Sequence, residues 1–386
     1  MAGLILVVVA LVLGCILASR NDDVKRSLRA RQAKLALRDY ADNTVLRTLA
    51  ALAEDAGRLD AAAARLRETR SDADAAAAVA AWETAYGTYL MTEAFHYGPA
   101  SWRDYDKRLA TWPFDKVLVD HALAEMAAGR LEMTSSNLRE ENASSMRGFH
   151  VVRHLLTRGG RPRRAQDIGA AELDYLVAAT RSLHEESVDF EASWRGTANL
   201  PAARAAVARQ SRFPERAAFA DEFKNPGAPG SRYASLAIPL QEVFQEVASV
   251  GEDTLAGIGA LRDELAPPPG GRGYWSGDDP CADLLHRLKG AENAWLGGVE
   301  GTRGHSVSEL ASGYSRVMDR RVKIAFAHTA YRIAAVRDLG DAAPEERELA
   351  IRRAEAECEK LLARVAAVTA PLAMDPSVGP WAAYGR

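Results

Sequence analysis

Apolar residues recur every three to four positions along most of this chain, and strict apolar–polar alternation is almost absent. That period is the signature of amphipathic helix rather than strand. Leu59–Arg70, Ala75–Ala94 and Glu345–Val368 are rich in Ala, Leu, Glu and Arg with few breakers, which favours helix further. The pattern predicts helices over 27–70, 75–97, 115–129, 171–194 and 236–265, with others starting near 280, 310 and 344. Such stripes bury against one another, so the expected fold is all-α, two bundles of about four helices each. Pro and Gly gather at 158–162, 225–230 and 266–273 and read as linkers. A boundary near residue 165 then separates an N-terminal bundle, 20–165, from a C-terminal one, 166–386.

The first 19 residues break the period. Ala2–Ser19 is one apolar run of about 18 residues, near the lower limit for a membrane span. Arg20, Lys25, Arg26, Arg29 and Arg31 follow it. Segment 1–19 reads as a signal peptide or membrane anchor. In the first reading Val12-Leu13-Gly14-Cys15 is a lipoprotein-type site with Cys15 lipidated. In the second the run stays as an uncleaved anchor; in both, the usual basic residues before the run are missing. Export places the protein in the cell envelope, periplasmic or membrane-anchored, with the membrane as a partner through the N-terminus.

Composition narrows the classes. A net charge of −3 gives no basic excess for nucleic acid. The three cysteines, at 15, 281 and 358, form no CxxC pair, which is neither a disulfide framework nor a zinc site. Cys281 and Cys358 read as separate helix cysteines.

Candidate chemistry concentrates in Arg147-Gly148-Phe149-His150-Val151-Val152-Arg153-His154-Leu155-Leu156. Positions four apart on a helix lie within ~40° of each other, so His150 and His154 share a face and can share a metal or an anion. Arg153 stands beside them. Ser135–Asn137 or Ser144-Ser145 is the expected cap of this helix. On the 75–97 helix, Trp82, Tyr86, Tyr89, Glu93 and His96 fall at steps of four, three, four and three, along one face. A carboxylate on such a face needs a partner or a cation, which singles out Glu93. His286 sits among mixed charges and reads as solvated.

Gly148-Phe149-His150-Val151-Val152-Arg153 resembles the GxHxxE signature of the imelysin family, also called insulin-cleaving membrane protease-like proteins. Other segments agree in order. Trp82…Tyr86…Glu93-Ala94-Phe95-His96-Tyr97-Gly98-Pro99 is similar to the family's W…Y…EAFxFG helix, and Thr111-Trp112-Pro113-Phe114-Asp115 to its WPxD turn. Tyr274-Trp275-Ser276-Gly277-Asp278 and Ala291–Gly298 are similar to its YSG loop and the helix after it. The resemblance spans about 80–300. It implies an exported protein of two four-helix bundles, with a site near the histidine signature and a link to iron uptake or handling. It carries over Glu93, Asp115, Gly148 and His150 as site positions; with Arg153, His154 and Ser276 of the covering loop they make the expected ligand pocket.

The departure is Arg153, where the family has glutamate. A guanidinium cannot ligate a metal and stays protonated. At ~4 Å it repels a unit positive charge by about 4 kcal/mol at an effective dielectric of 20. Three outcomes follow: a small anionic ligand held by Arg153, His150 and His154; a metal, iron or zinc, held by Glu93, His150 and His154 in a modified geometry; or a decayed site in a structural or interaction protein. The family's older name suggests a metal-dependent peptidase. No HExxH occurs and valine follows His150, so a zincin-type peptidase is not supported and no catalytic residue is assigned.

Overall fold

The structure is a computed structural model that describes residues 23–158, 161–264, 279–340 and 342–374. The N-terminal run with Cys15, and the loop with Ser276, lie outside the described residues. The first helix continues from 23 to Thr69 in three parts: α1 (23–39), a π-helical turn Tyr40–Val45, and α2 (Leu46–Thr69). A π turn frees backbone groups for partners outside the helix. Here the Asn43 carbonyl accepts from the Val299 N–H at 3.1 Å, and the Thr44 hydroxyl donates to the Asn293 carbonyl at 3.2 Å. Next come α3 (Asp72–Met91), α4 (Lys116–Ala127), α5 (Phe149–Leu156) and α6 (Ala170–Arg195). The described residues end with α7 (Ala237–Ala260), α8 (Pro280–Leu296), α9 (Val307–Asp338) and α10 (Pro344–Met374). Among the described residues, strand is confined to the pair Thr157–Arg158 and Arg161–Pro162 just after α5.

The helices pack in two groups. α2 lies against α3 and α6, and α5 rests on α3 and α6. In the second group α7 packs on α8 and α10, α8 on α9, and α9 along α10. The groups meet where α8 crosses α3. One apolar cluster runs through both, from Ala33 to Leu372. α6, which follows the expected boundary at 165, packs on helices of the first group.

Three elements differ from the sequence pattern. α3 stops at Met91, where the Thr92 hydroxyl bonds back to the Tyr89 carbonyl at 2.7 Å and a 3₁₀ turn, Thr92–Phe95, takes over. Ser135–Leu138 is a short helix of its own with a capping box between Thr134 and Asn137, so it does not cap α5. α6 reads as amphipathic yet is enclosed on nearly every side. Its Glu186, Asp189 and Glu191 are buried, which is tolerable only with charged partners. Asp189 accepts from Tyr105 at 2.7 Å and from Arg216 at 3.0 Å. Glu191 pairs with Arg195 and Arg204 at 2.7 and 2.6 Å, and Glu186 with Arg108. These pairs fasten the segments around 105–110 and 195–216 onto α6.

Candidate functional site

α5 begins at Gly148, with φ +88° and ψ −175°, a region essentially reserved for glycine. A Cβ here would stand 2.3 Å from the Leu109 carbonyl oxygen. The close approach brings the Leu109–Ala110 backbone against the first turn of α5, where the Ala110 backbone hydrogen-bonds His150. The helix is tied down on two more sides. Arg147 donates to the Leu138 carbonyl at 2.6 Å, with Glu186 at 3.5 Å. Trp82 of α3 donates its indole N–H to the Phe149 carbonyl at 2.8 Å.

His150 is buried, with its ring 5.9 Å from Tyr86 and 5.4 Å from Trp112. Burial, aided by the charge of Arg153, holds its pKa down to about 3 against the Ala110 hydrogen bond. The imidazole is therefore neutral near pH 7. His154 fans away from it toward Phe114, ring to ring 5.2 Å. Burial, then Arg158 and Lys116, pull His154 down to about 4. Arg153 turns the other way and lays its guanidinium 5.5 Å over the Trp82 ring, a cation–π geometry. Trp82 in turn stacks on Tyr86 at 4.9 Å.

Glu93 sits in the 3₁₀ turn rather than on α3, so it and His96 leave the aromatic face that Trp82, Tyr86 and Tyr89 share. Its carboxylate accepts from Arg287 of α8 at 2.6 Å, with 22% of the side chain still accessible. Burial pushes its pKa up to about 7 against the pull of Arg287, with Asp253 and Asp283 adding to the rise. The helices come this close because α8 carries glycine at the crossing: a Cβ on Gly290 would stand 2.5 Å from the Met91 carbonyl oxygen. Beside the crossing is a cavity of about 540 Å³ whose lining includes Trp82, Tyr86, Thr88, Asp283, His286 and Arg337.

The structure thus gathers His150, Arg153 and the Glu93–Arg287 pair around the α3–α5–α8 junction. It does not bring in Asp115, which caps α4 by accepting from the Leu118 N–H at 3.0 Å. Ser276 lies outside the described residues. Among the described residues, no three His, Cys, Asp or Glu side chains converge to hold a metal ion. The trio Glu93, His150 and His154 does not assemble, because the two histidines diverge to different neighbours and Glu93 is engaged by Arg287. Sequence reasoning missed Arg287 and Asp283, and read His286 as solvated. His286 is half-buried over Gly87, where an added Cβ would stand 2.7 Å from its ring, and burial lowers its pKa. The one available signal was the spacing of Asp283 and Arg287, four apart on one helix.

These features define a class: an all-α protein of two packed helical groups with a buried histidine and a cavity at their junction. The family model described as Imelysin matches residues 45–373, and the chain belongs to the imelysin family. It is 23% identical over 171 residues to iron-regulated protein A of Synechococcus elongatus, a match covering 44% of this chain and 43% of that protein. The chain therefore aligns with less than half the length of that relative. Two solved structures share the fold. One, described as an iron-regulated protein A precursor from Parabacteroides distasonis, has a TM-score of 0.70 at 18% identity, covering 88% of this chain and 95% of that one. The other, an imelysin-like protein from Psychrobacter arcticum, has a TM-score of 0.63 at 14% identity, covering 89% and 95%.

Proposed function

We propose that this chain is an exported imelysin-family binding protein of the cell envelope. Its ligand is a small carboxylate-bearing anion, taken at the α3–α5–α8 junction in the service of iron handling. The observation that carries this reading is Arg153: a guanidinium stands at the acidic position of the signature and lies over Trp82, which lines the adjoining cavity. Arg337 lines the same cavity, where it pairs with Asp279 at 3.3 Å. Guanidinium groups match carboxylates in a bidentate fork, and a neutral His150 exchanges hydrogen bonds without adding charge. The diverging histidines favour an anion over a bare metal ion. The iron connection is supported by the iron-regulated names of the relatives, and export by the apolar run 2–19.

The test is calorimetric titration of the full chain with citrate and with ferric citrate, beside metal analysis after dialysis. Wild type should bind the anion, with Arg153→Glu weakening it at least about tenfold, the equivalent of ~1.4 kcal/mol. Citrate alone against its ferric complex shows which form is the cargo. Stoichiometric zinc or iron that survives dialysis and disappears in His150→Ala would overturn the reading. So would anion binding that Arg153→Glu leaves unchanged.

A further inference from the structure

A second surface, independent of the ligand reading, is built by α1 and by the part of α9 that precedes the cavity-lining Arg337. α1 holds six basic and two acidic residues, and the 314–332 stretch of α9 five basic and one acidic, in a chain whose net charge is −3. The acid in that stretch, Asp319, is buried. The basic residues are interleaved with exposed apolar ones. On α9, Val317, Arg321, Ile324, His328 and Tyr331 follow at steps of four, three, four and three, so they form one face, bordered on one side by Glu357 of α10, 3.8 Å from His328. Val317 and Tyr331 leave 61% and 66% of their surface in water, and Ile324 39%. On α1, residues 23–29 are exposed on every side, including Val24 and Leu28. The two helices are neighbours, because Arg29 lies 5.6 Å over the ring of Tyr314, just before the stripe.

We propose that this face docks on an anionic phospholipid surface. Exposed aromatic and aliphatic side chains flanked by arginines suit the headgroup boundary, where apolar groups enter the acyl region and cations meet phosphates. The chain also directs the face there: the apolar run 2–19 directly precedes α1. A second copy fits less well. A two-fold interface sets the same patch against itself, which brings Arg320 and Arg321 near their own copies. The surface therefore holds the body flat against the bilayer, beyond any tether the N-terminus supplies.

The experiment uses the full chain with Cys15→Ser and Tyr331→Cys, labelled at the new cysteine with an environment-sensitive fluorophore; Cys281 and Cys358 are buried. On vesicles of phosphatidylcholine with about one third phosphatidylglycerol the emission should shift to the blue, and on pure phosphatidylcholine it should not. Each arginine at the surface should contribute about fivefold in affinity, from ~1 kcal/mol each. Arg320→Glu with Arg321→Glu should therefore abolish the shift, as should high salt. The exposed pair Arg103→Glu with Arg209→Glu, elsewhere on the body, should leave it intact. An equal shift on both lipids, no shift on either, or equal loss in the control pair overturns the proposal. A shift that grows with protein concentration without vesicles assigns the face to a second copy and overturns it as well.

Discussion

Replacing Gly148 by alanine tests whether a close backbone approach positions the signature histidine. Two effects add. The backbone at φ +88°, ψ −175° costs a residue with a Cβ about 1–3 kcal/mol. The new methyl also meets the Leu109 carbonyl oxygen at 2.3 Å and its carbon at 2.8 Å. That neighbour is main chain, so either α5 or the Leu109–Ala110 segment must move, an overpacking penalty of about 1–3 kcal/mol. Movement also lengthens the Ala110–His150 hydrogen bond, worth about 1 kcal/mol. The backbone and contact effects sum to roughly 2–6 kcal/mol, and loss of that hydrogen bond adds up to ~1 kcal/mol. Gly129→Ala is the matched control: it has φ +69° but nothing within 4 Å of an added Cβ, and should lose only ~1–2 kcal/mol. Urea unfolding followed by far-ultraviolet circular dichroism reads both. Equal losses in the two variants would refute the reasoning, because the contact with Leu109 would then contribute nothing.

Other expectations follow from the buried charges and thiols. Glu93 has a folded pKa of about 7 against an unfolded value near 4.5. The stability this confers is complete below the unfolded value and is lost as pH rises through about 7, an effect of roughly 1–3 kcal/mol. Glu246, raised to about 7 chiefly by burial, acts in the same direction. Urea midpoints should be higher at pH 5 than at pH 8, and Glu93→Gln should shrink the difference; an unchanged difference would show that Glu93 titrates normally. Asp189→Ala should cost about 3–5 kcal/mol, since it strands Arg216 and Tyr105 beside a buried void; a loss under 1 kcal/mol by the same unfolding assay would mean the ion-pair belt is not tight. With Cys15→Ser, no thiol should react with an aromatic disulfide reagent at pH 8 in the native protein, and two should react after denaturation. Both remaining cysteines are buried, and burial pushes Cys358 up to about 12.

The helical class and most helix positions were legible in the sequence, because a 3.6-residue apolar period is a local property that survives without knowledge of neighbours. The imelysin signature around His150 was legible for the same reason: Gly148, His150 and Arg153 lie within one and a half turns. The partners were not. That Glu93 meets Arg287, 194 residues away in sequence, depends on how α8 crosses α3, and no local pattern encodes a crossing. The equal spacing of His150 and His154 suggested a shared ligand, yet the tertiary contacts send one to Tyr86 and Trp112 and the other to Phe114. Likewise, the helical pattern of α6 does not reveal that Glu186, Asp189 and Glu191 are buried against Arg108, Arg204 and Arg216, which come from other segments. Sequence fixes which side chains can share a helix face; only packing decides what that face meets, because burial and pairing energies arise between segments rather than within them.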